Sequence, residues 1–201
     1  MMKFLIFVVI AYIFGSFPSG VWLGKVTKNI DIREYGSKSS GATNAYRILG
    51  PKYGIMVLIL DALKGYIPLY LASLFGIGGI YIILLGLVAI LAHTFSFFIQ
   101  FKGGKGVATS LGVFLFLMPK VVGILILVFI LIVGVSKYIS LGSVVCAGLL
   151  PILAYFMPVK EGVPRIPLVI ISLIVGIFVI YKHKANIQRL MDGKENKFNL
   201  K

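Results

Sequence analysis

Long apolar runs make up most of the chain, and short polar segments separate them. The runs cover residues 4–23, 53–75, 77–98, 107–118, 121–135, 141–157 and 166–181. About 20 apolar residues are needed to cross a bilayer as a helix, so the longer runs are typical of spans and the shorter ones require tilt. The apolar positions are continuous and do not alternate, which excludes a membrane β-barrel. The pattern predicts an all-α integral membrane protein with about seven transmembrane helices.

The polar segments decide the predicted orientation. Seven spans put the termini on opposite sides, and 15 of the 20 Lys and Arg residues then lie on the side of the C-terminal tail, against four on the other side. The positive-inside rule therefore predicts that the N-terminus is outside and the C-terminus is cytoplasmic. Pro119 leaves one point open, because it either kinks one long helix or ends two short ones. We expect a single transmembrane domain, residues 1–201, whose first run is retained and not cleaved as a signal peptide.

Composition supports a membrane protein. The 201 residues are 59% hydrophobic and 13% charged, whereas a soluble domain is about 45–50% apolar and about 25% charged. These values argue against a water-soluble globular protein, a disordered chain and a disulfide scaffold. The single cysteine, Cys146, lies in an apolar run and is interpreted as a small buried side chain. The net charge of +14 has two explanations, orientation in the membrane and binding of anionic ligands.

Residues 36–50, GSKSSGATNAYRILG, form the first candidate site. Small residues let backbone N–H groups approach an anion closely, and a following helix start adds partial positive charge. Ser37, Thr43 and Asn44 supply neutral hydrogen-bonding groups, and Arg47 supplies a bidentate cation for phosphate. The alternative is a flexible loop followed by a capped helix.

Residues 101–110, FKGGKGVATS, form the second candidate site and join two apolar runs. Gly103, Gly104, Lys105 and Gly106 at a helix N-terminus are suited to hold a phosphate. The Gly-Lys-Ser/Thr ending and the spacing of a Walker A loop are missing. A basic turn at the membrane edge would explain the same residues, but a second Gly/Ser/basic loop on the same predicted face favours an anion site.

Residues 181–195, YKHKANIQRLMDGKE, form the third candidate site. In a helix, His183 and Asn186 share a face because they are three residues apart. His183 is suited to act as a base or to donate a hydrogen bond to phosphate. The alternative is a basic tail that binds anionic lipid. Ser140 and Ser143 flank the start of the sixth run and face the same predicted side; a helix cap is the simpler explanation for them.

Three titratable residues lie inside the apolar runs. Asp61 and Lys64 are three apart, and an ion pair that supports the site is the favoured interpretation, since charges within a membrane are costly and usually paired. His93 lies near the end of its run, where it either hydrogen-bonds a neighbouring helix or faces the site.

Six motifs carry a resemblance to a known family. They are GSFPSG at 15–20, GATN at 41–44 with Arg47, LDALKG at 60–65, FKGGKGVAT at 101–109, SLGS at 140–143 and YKHKANIQRLMDGKE at 181–195. In order, spacing and extent, the chain resembles the bacterial membrane-integral glycerol-3-phosphate acyltransferases that use fatty acyl phosphate as donor. It retains the family's serine at Ser37 but departs from the usual Gly-Ser-Gly-Asn at Lys38 and Ser39.

The resemblance implies transfer of an acyl chain from acyl phosphate to the 1-hydroxyl of glycerol 3-phosphate. The implied products are 1-acyl-glycerol 3-phosphate (lysophosphatidate) and phosphate, in phospholipid synthesis. The implied partners are fatty acyl phosphate, glycerol 3-phosphate and membrane lipids, with no nucleic acid, metal or cofactor. We expect the protein in the cytoplasmic (inner) membrane, with its active site on the cytoplasmic face. An acyl phosphate is already activated, so positioning and charge stabilisation suffice without a covalent intermediate.

The expected catalytic residues are Lys105, His183 and Ser37. The expected substrate-binding residues are Arg47, Thr43, Asn44, Gly103, Gly104, Gly106, Ser140, Ser143 and Asn186. In this hypothesis the glycine-rich segment, Ser37 and Arg47 hold phosphate groups and stabilise the departing phosphate. Thr43, Asn44 and the pair His183 and Asn186 orient glycerol 3-phosphate, and the proton goes to His183 or to a phosphate oxygen.

Two rival functions remain at this point. A transporter or channel would explain the multiple spans and the charged pair of the second run, but the polar motifs cluster on one predicted face and no polar stripe follows the other runs. A non-enzymatic scaffold that binds anionic lipid would explain the basic tail alone.

Overall fold

Helices form nearly the whole of the computed structural model, which describes residues 1–198. The ten α-helices are α1 (Met2–Ser16), α2 (Ser19–Lys28), α3 (Ala42–Leu49), α4 (Pro51–Leu74), α5 (Gly79–Thr94), α6 (Val107–Leu117), α7 (Pro119–Ser136), α8 (Ile139–Phe156), α9 (Arg165–Lys182) and α10 (Lys184–Met191). Single 3₁₀ turns occupy Ile32–Glu34 and Phe97–Ile99. Within the described residues the all-α prediction is confirmed.

Every predicted apolar run contains a helix, but the helices differ in their ability to cross a membrane. Within residues 1–198, five helices are long and apolar enough, and a sixth span is possible if α1 and α2 together form one. Helix α6 has 11 residues, which rise roughly 16 Å, about half of a hydrocarbon core of about 30 Å. The chain is thus an integral membrane protein with five or six candidate spans, and the seven-span count and the orientation of the termini stay predictions.

The first run is bent, not continuous as predicted. Helix α1 ends at Ser16, α2 begins at Ser19, and their axes differ by 42°. Pro18 at the break has no N–H and cannot continue the ladder. Two carbonyls at the break accept from side chains of other helices and loops: Ser96 Oγ donates to Ser16 O, and Lys64 Nζ donates to Phe17 O at 2.8 Å.

The alternatives at Pro119 are resolved in favour of two helices. Helix α6 ends at Leu117, Met118 has the non-helical φ of −152°, and Pro119 is the first residue of α7. Proline suits this position because the first helical N–H has no intrahelical acceptor.

The chain divides into two compact units, which we call unit 1 (Met1–Phe116) and unit 2 (from Leu117 onward). The expectation of one domain over residues 1–201 stays a prediction. Unit 1 packs its helices through small residues: a Cβ at Gly15, Gly65 or Gly112 would overlap a backbone oxygen of the facing helix. Such close approach is typical of helices packed within a membrane.

Unit 2 consists of α7 to α10. Helix α8 packs against both α7 and α9, and Gly176 of α9 lies close to the carbonyl of Ala147 on α8. Large apolar side chains stay exposed on the outer surfaces, among them Leu127, Leu131 and Ile177. In an integral membrane protein such side chains face lipid tails, where their exposure carries no cost.

Candidate functional site

Asn44 organises the first polar loop, which we define as residues 29–41. Its carboxamide is 1% exposed. Nδ2 donates to the carbonyls of Ile32, Tyr35 and Ser39 at 2.7, 3.2 and 2.8 Å. Oδ1 accepts from the N–H and the hydroxyl of Ser37 at 2.9 and 3.2 Å. The amide is thus engaged by the loop itself, and its observed contacts position Ser37.

The other predicted residues of this segment lie at the loop and on α3. Ser37 is exposed, and Thr43 and Arg47 are half-buried. Thr43 and Arg47 are four residues apart on α3 and therefore share one face of the helix. A hydroxyl and a guanidinium on one face suit an anion that accepts hydrogen bonds from several directions.

The glycine loop, which we define as residues 95–106, folds back onto the end of α5. The N–H of Gly103 donates to Thr94 O at 3.0 Å, and the N–H of Gly104 donates to His93 O at 3.3 Å. A Cβ at Gly103 would overlap the carbonyl oxygen of His93, and a Cβ at Gly104 would overlap its imidazole ring. These two glycines therefore allow close packing against α5, and in this structure their N–H groups donate to protein carbonyls.

The end of the glycine loop is the part suited to hold a phosphate. Gly106 has a φ of +85°, which glycine adopts without strain, and α6 begins at Val107. The first N–H groups of a helix have no intrahelical acceptor and carry partial positive charge. Half-buried Lys105 adds a full positive charge beside this helix start. A helix N-terminus and a lysine side by side are features that suit an anion, and anion binding here stays a prediction.

The two loops of unit 1 contact each other. Arg33 Nη1 in the first polar loop donates to Ile99 O in the glycine loop at 3.3 Å. Arg33 also pairs with Asp31, and its hydrogen bonds hold the pKa of that carboxyl below its ordinary value of 3.8. The first polar loop and the glycine loop are therefore joined by a hydrogen bond, made by residues outside the two segments 36–50 and 101–110 that were predicted to suit phosphate.

Asp61 and Lys64 form the predicted ion pair, at 2.8 Å and almost fully buried. Since Lys64 also donates to Phe17 O, the pair supports the bend between α1 and α2. Buried charges of this kind are retained when both partners and the remaining hydrogen-bonding capacity are satisfied. The predicted pair is thus present and supports the bend in unit 1, while its support of the site stays a prediction.

Glu195 is the centre of the polar cluster in unit 2. Its Oε1 accepts from Ser140 Oγ at 3.0 Å and from Asn186 Nδ2 at 2.8 Å, and its Oε2 accepts from Arg189 Nε at 2.7 Å. Burial alone would raise the pKa of Glu195, but the three hydrogen bonds together with the charge of Arg189 hold it below its ordinary value of 4.5. The carboxylate thereby ties α10 to the start of α8.

His183 lies between α9 and α10 and is buried. Its Nδ1 is 2.8 Å from Val179 O. A carbonyl oxygen only accepts, so Nδ1 carries the hydrogen, and any proton exchange by the neutral ring takes place at Nε2. His183 and Asn186 both lie on the buried side of this segment, as their spacing predicted.

The two predicted serines of α8 have different contacts. Ser140 donates to Glu195, whereas the Ser143 hydroxyl donates to Ile139 O one turn earlier at 2.9 Å.

Sequence reasoning did not single out Glu195 or the Asp31–Arg33 pair. A signal for Glu195 was available, because it is one of two acids in a strongly basic tail. Among residues 1–198, no group of three or more His, Cys, Asp or Glu side chains is arranged to hold a metal ion.

Comparisons with known proteins agree with the resemblance. A family model described as glycerol-3-phosphate acyltransferase matches residues 5–193. A glycerol-3-phosphate acyltransferase of Fusobacterium nucleatum is 57% identical over 197 residues, covering 98% of this chain and 99% of that protein. Crystal structures of PlsY (YgiH), an integral membrane glycerol 3-phosphate acyltransferase, superpose with TM-scores of 0.88 for the glycerol 3-phosphate form and 0.86 for the lysophosphatidic acid form. Both are 36% identical and cover 98% of this chain, which in turn covers 96% and 95% of theirs.

Proposed function

The chain belongs to the glycerol-3-phosphate acyltransferase family, and we propose that it transfers a fatty acyl chain from acyl phosphate to the 1-hydroxyl of glycerol 3-phosphate. The products are 1-acyl-glycerol 3-phosphate and inorganic phosphate. Support for the acceptor comes from the similar PlsY structures, which are described in a glycerol 3-phosphate form and a lysophosphatidic acid form.

The contact between the two polar loops carries the proposal for the donor. Ser37 in the first loop and Lys105 in the glycine loop are each expected to bind phosphate, and a hydrogen bond of 3.3 Å from Arg33 Nη1 to Ile99 O joins the two loops that carry them. Two neighbouring phosphate-suited loops fit two phosphate-bearing substrates. The His-x-x-x-x-Asp motif of another acyltransferase class is missing, since Phe98 and Gln188 occupy the fifth positions after the two histidines. A mixed anhydride needs no such activation.

In the proposed reaction the 1-hydroxyl oxygen attacks the carbonyl carbon of acyl phosphate. The new ester bond forms, the bond from that carbon to the phosphate oxygen breaks, and inorganic phosphate leaves. Lys105 and the N-terminus of α6 stabilise the charge that develops on the departing phosphate. Arg47 and Ser37 hold a phosphate group, and Asn44 keeps Ser37 in place.

The proton of the attacking hydroxyl has two possible acceptors, His183 Nε2 and an oxygen of a substrate phosphate. The variant His183→Ala separates them through the pH dependence of kcat. With phosphate as acceptor, the rate falls modestly and the pH profile keeps its shape. With His183 as acceptor, the acidic limb of the profile disappears with the imidazole.

The donor is tested with purified full-length protein in detergent. Glycerol 3-phosphate is supplied with either a fatty acyl phosphate or the matching acyl-CoA, and the acylated product is measured. We expect product from acyl phosphate and none from acyl-CoA. Product from acyl-CoA alone would contradict the proposed donor while leaving the family unchanged.

The membrane location follows the same reasoning. A fatty acyl chain partitions into lipid, whereas the phosphate groups stay in water, so the reaction belongs at the edge of the bilayer. We propose the cytoplasmic (inner) membrane and its cytoplasmic face, because the basic, motif-rich segments carry most of the Lys and Arg residues. Accessibility of an introduced cysteine at exposed Lys38 to a membrane-impermeant thiol reagent tests the side, in a Cys146→Ala background. Labelling in intact cells would place this loop outside and contradict the proposal.

A further inference from the structure

We propose that Asp31 and Arg33 form a clamp that fixes the spacing between the first polar loop and the glycine loop, and that Arg33 is a positioning residue for the proposed reaction. The role in the reaction rests on the proposed function; the role in loop spacing does not. Neither residue belongs to the groups expected from the sequence to touch substrate.

The clamp begins with a guanidinium held in a fixed direction. Arg33 Nη2 lies 2.6 Å from Asp31 Oδ2, and Arg33 Nε donates to both carboxylate oxygens at 3.0 and 3.1 Å. The N–H of Arg33 also donates to Asp31 Oδ1 at 2.9 Å. A planar guanidinium held in this bidentate way leaves little freedom to its third nitrogen.

That third nitrogen reaches the base of the glycine loop. Arg33 Nη1 donates to Ile99 O across 66 residues of sequence, and the same carbonyl accepts from the N–H of Lys102 at 3.1 Å. The Lys102 bond closes the turn from which the chain continues to Lys105. Arg33 therefore binds the carbonyl that closes the turn directly before Gly103.

The other end of the clamp is connected to Ser37. Ile32, between the two clamp residues, is fully buried in an apolar cluster that also contains Ile99. Its carbonyl accepts from Asn44, whose Oδ1 accepts from Ser37. A shift at residue 33 is thus transmitted to Ser37 through Asn44 and to Lys105 through Ile99.

The charge of the pair contributes little to the stability of the fold. The side chains of Arg33 and Asp31 are 26% and 13% exposed, and partly exposed ion pairs contribute little to global stability. A clamp predicts a different result from general destabilisation: the loop spacing and kcat/KM change while the unfolding temperature stays close to that of the wild type.

The spacing is measured by pulsed electron paramagnetic resonance. Spin labels are placed at exposed Lys38 and Lys102 through Lys38→Cys and Lys102→Cys, in a Cys146→Ala background of the full chain. We expect the distance distribution to broaden in Arg33→Gln and in Asp31→Asn. Glu34→Gln is the matched control, because Glu34 is the neighbouring exposed carboxylate and should leave the distribution unchanged.

Kinetics test the positioning role in unlabelled protein. We expect Arg33→Gln to lower kcat/KM for glycerol 3-phosphate at least tenfold, with partial recovery in Arg33→Lys, which keeps the pair with Asp31. An unchanged distance distribution would overturn the clamp. A broadened distribution with unchanged kcat/KM would overturn the positioning role. If wild-type protein is inactive with acyl phosphate, the proposed donor fails, while the distance measurement still decides the clamp.

Discussion

Replacing Glu195 by glutamine should loosen unit 2 without removing any group expected to touch a substrate. The carboxylate is 8% exposed and accepts three hydrogen bonds, from Ser140, Asn186 and Arg189. Glutamine keeps one oxygen for Ser140 and Asn186, but it loses their charge assistance and presents an NH₂ group to Arg189. The change therefore weakens two bonds and breaks a third.

The magnitude follows from the exposure of each partner. Hydrogen bonds to charged groups contribute about 1.5–3 kcal/mol and neutral ones about 1 kcal/mol. At the lower end of the charged range, losing charge assistance on two bonds costs about 1 kcal/mol. The side chain of Arg189 is 38% exposed and can be rehydrated, so its lost pair adds about 1 kcal/mol or less. A total of about 2 kcal/mol corresponds to a fall in Tm of roughly 4–8 °C for a chain of about 200 residues.

Cys146 provides the assay, because it is the single cysteine and lies half-buried on α8 of unit 2, where its Sγ donates to Leu125 O. A thiol-reactive fluorophore reports its exposure during heating in detergent. Glu161→Gln is the control, since Glu161 is an exposed carboxylate of the same unit. Equal melting of Glu195→Gln and wild type, or an equal fall in Glu161→Gln, would refute the reasoning.

The pH dependence gives a second readout of the same group. Because the pKa of Glu195 is lower in the folded protein than its ordinary 4.5, ionised Glu195 stabilises the fold above that pH. This stabilisation is lost as the pH falls through the folded pKa. The Tm difference between wild type and Glu195→Gln should therefore be constant from pH 8 to about 5 and shrink below pH 4.5.

Three further predictions concern unit 1. Lys105→Ala should lower kcat about 100-fold or more with an unchanged Tm, as for loss of one preorganised charge in an active site; full activity in the enzyme assay would exclude Lys105 from phosphate stabilisation. Gly103→Ala should lower Tm and activity, because its Cβ would overlap His93 O. The control Gly123→Ala on α7 has open space around the added methyl group and should melt at or slightly above wild type, because alanine is favoured over glycine inside a helix. Lys64→Met should destabilise unit 1 by about 3–5 kcal/mol, because it leaves Asp61 buried without its partner. The double variant Asp61→Asn/Lys64→Met should recover part of this loss, measured by fluorescence melts of the single tryptophan, Trp22. No recovery would contradict an ion-pair origin of the effect.

The helices were predictable because apolar runs in a membrane protein have one dominant solution, a hydrogen-bonded helix. The positions where these helices bend or end were harder to predict from the sequence. Pro18 did not mark the bend by itself, because proline is also tolerated inside α4 at Pro68 and inside α8 at Pro151. The bend is supported by Lys64 and Ser96, which lie 47 and 80 residues away from their acceptors, and such long-range contacts leave no local signal.

In the candidate site, too, local features could be predicted from the sequence and long-range contacts could not. Residue types and spacing led to the expectation that three segments suit phosphate, which stays a prediction. Thr43 and Arg47 share one face of α3, whereas His183 lies at the break before α10, which carries Asn186. The hydrogen-bond partners were not predictable, because they depend on how the loops fold. Asn44 was expected to orient substrate, yet its observed bonds hold Ser37 and three loop carbonyls. Asn186 and Ser140 both donate to Glu195, whose burial depends on the tail returning to α8.

The most direct test of the proposed function uses acyl phosphate with ¹⁸O in the bridging position between carbonyl carbon and phosphorus. Purified protein receives this donor and glycerol 3-phosphate, and mass spectrometry follows both products. Attack on the carbonyl carbon predicts inorganic phosphate that carries the ¹⁸O, formed in a one-to-one ratio with unlabelled 1-acyl-glycerol 3-phosphate. Absence of labelled phosphate while the acylated product forms, or no product from this donor at all, would contradict it.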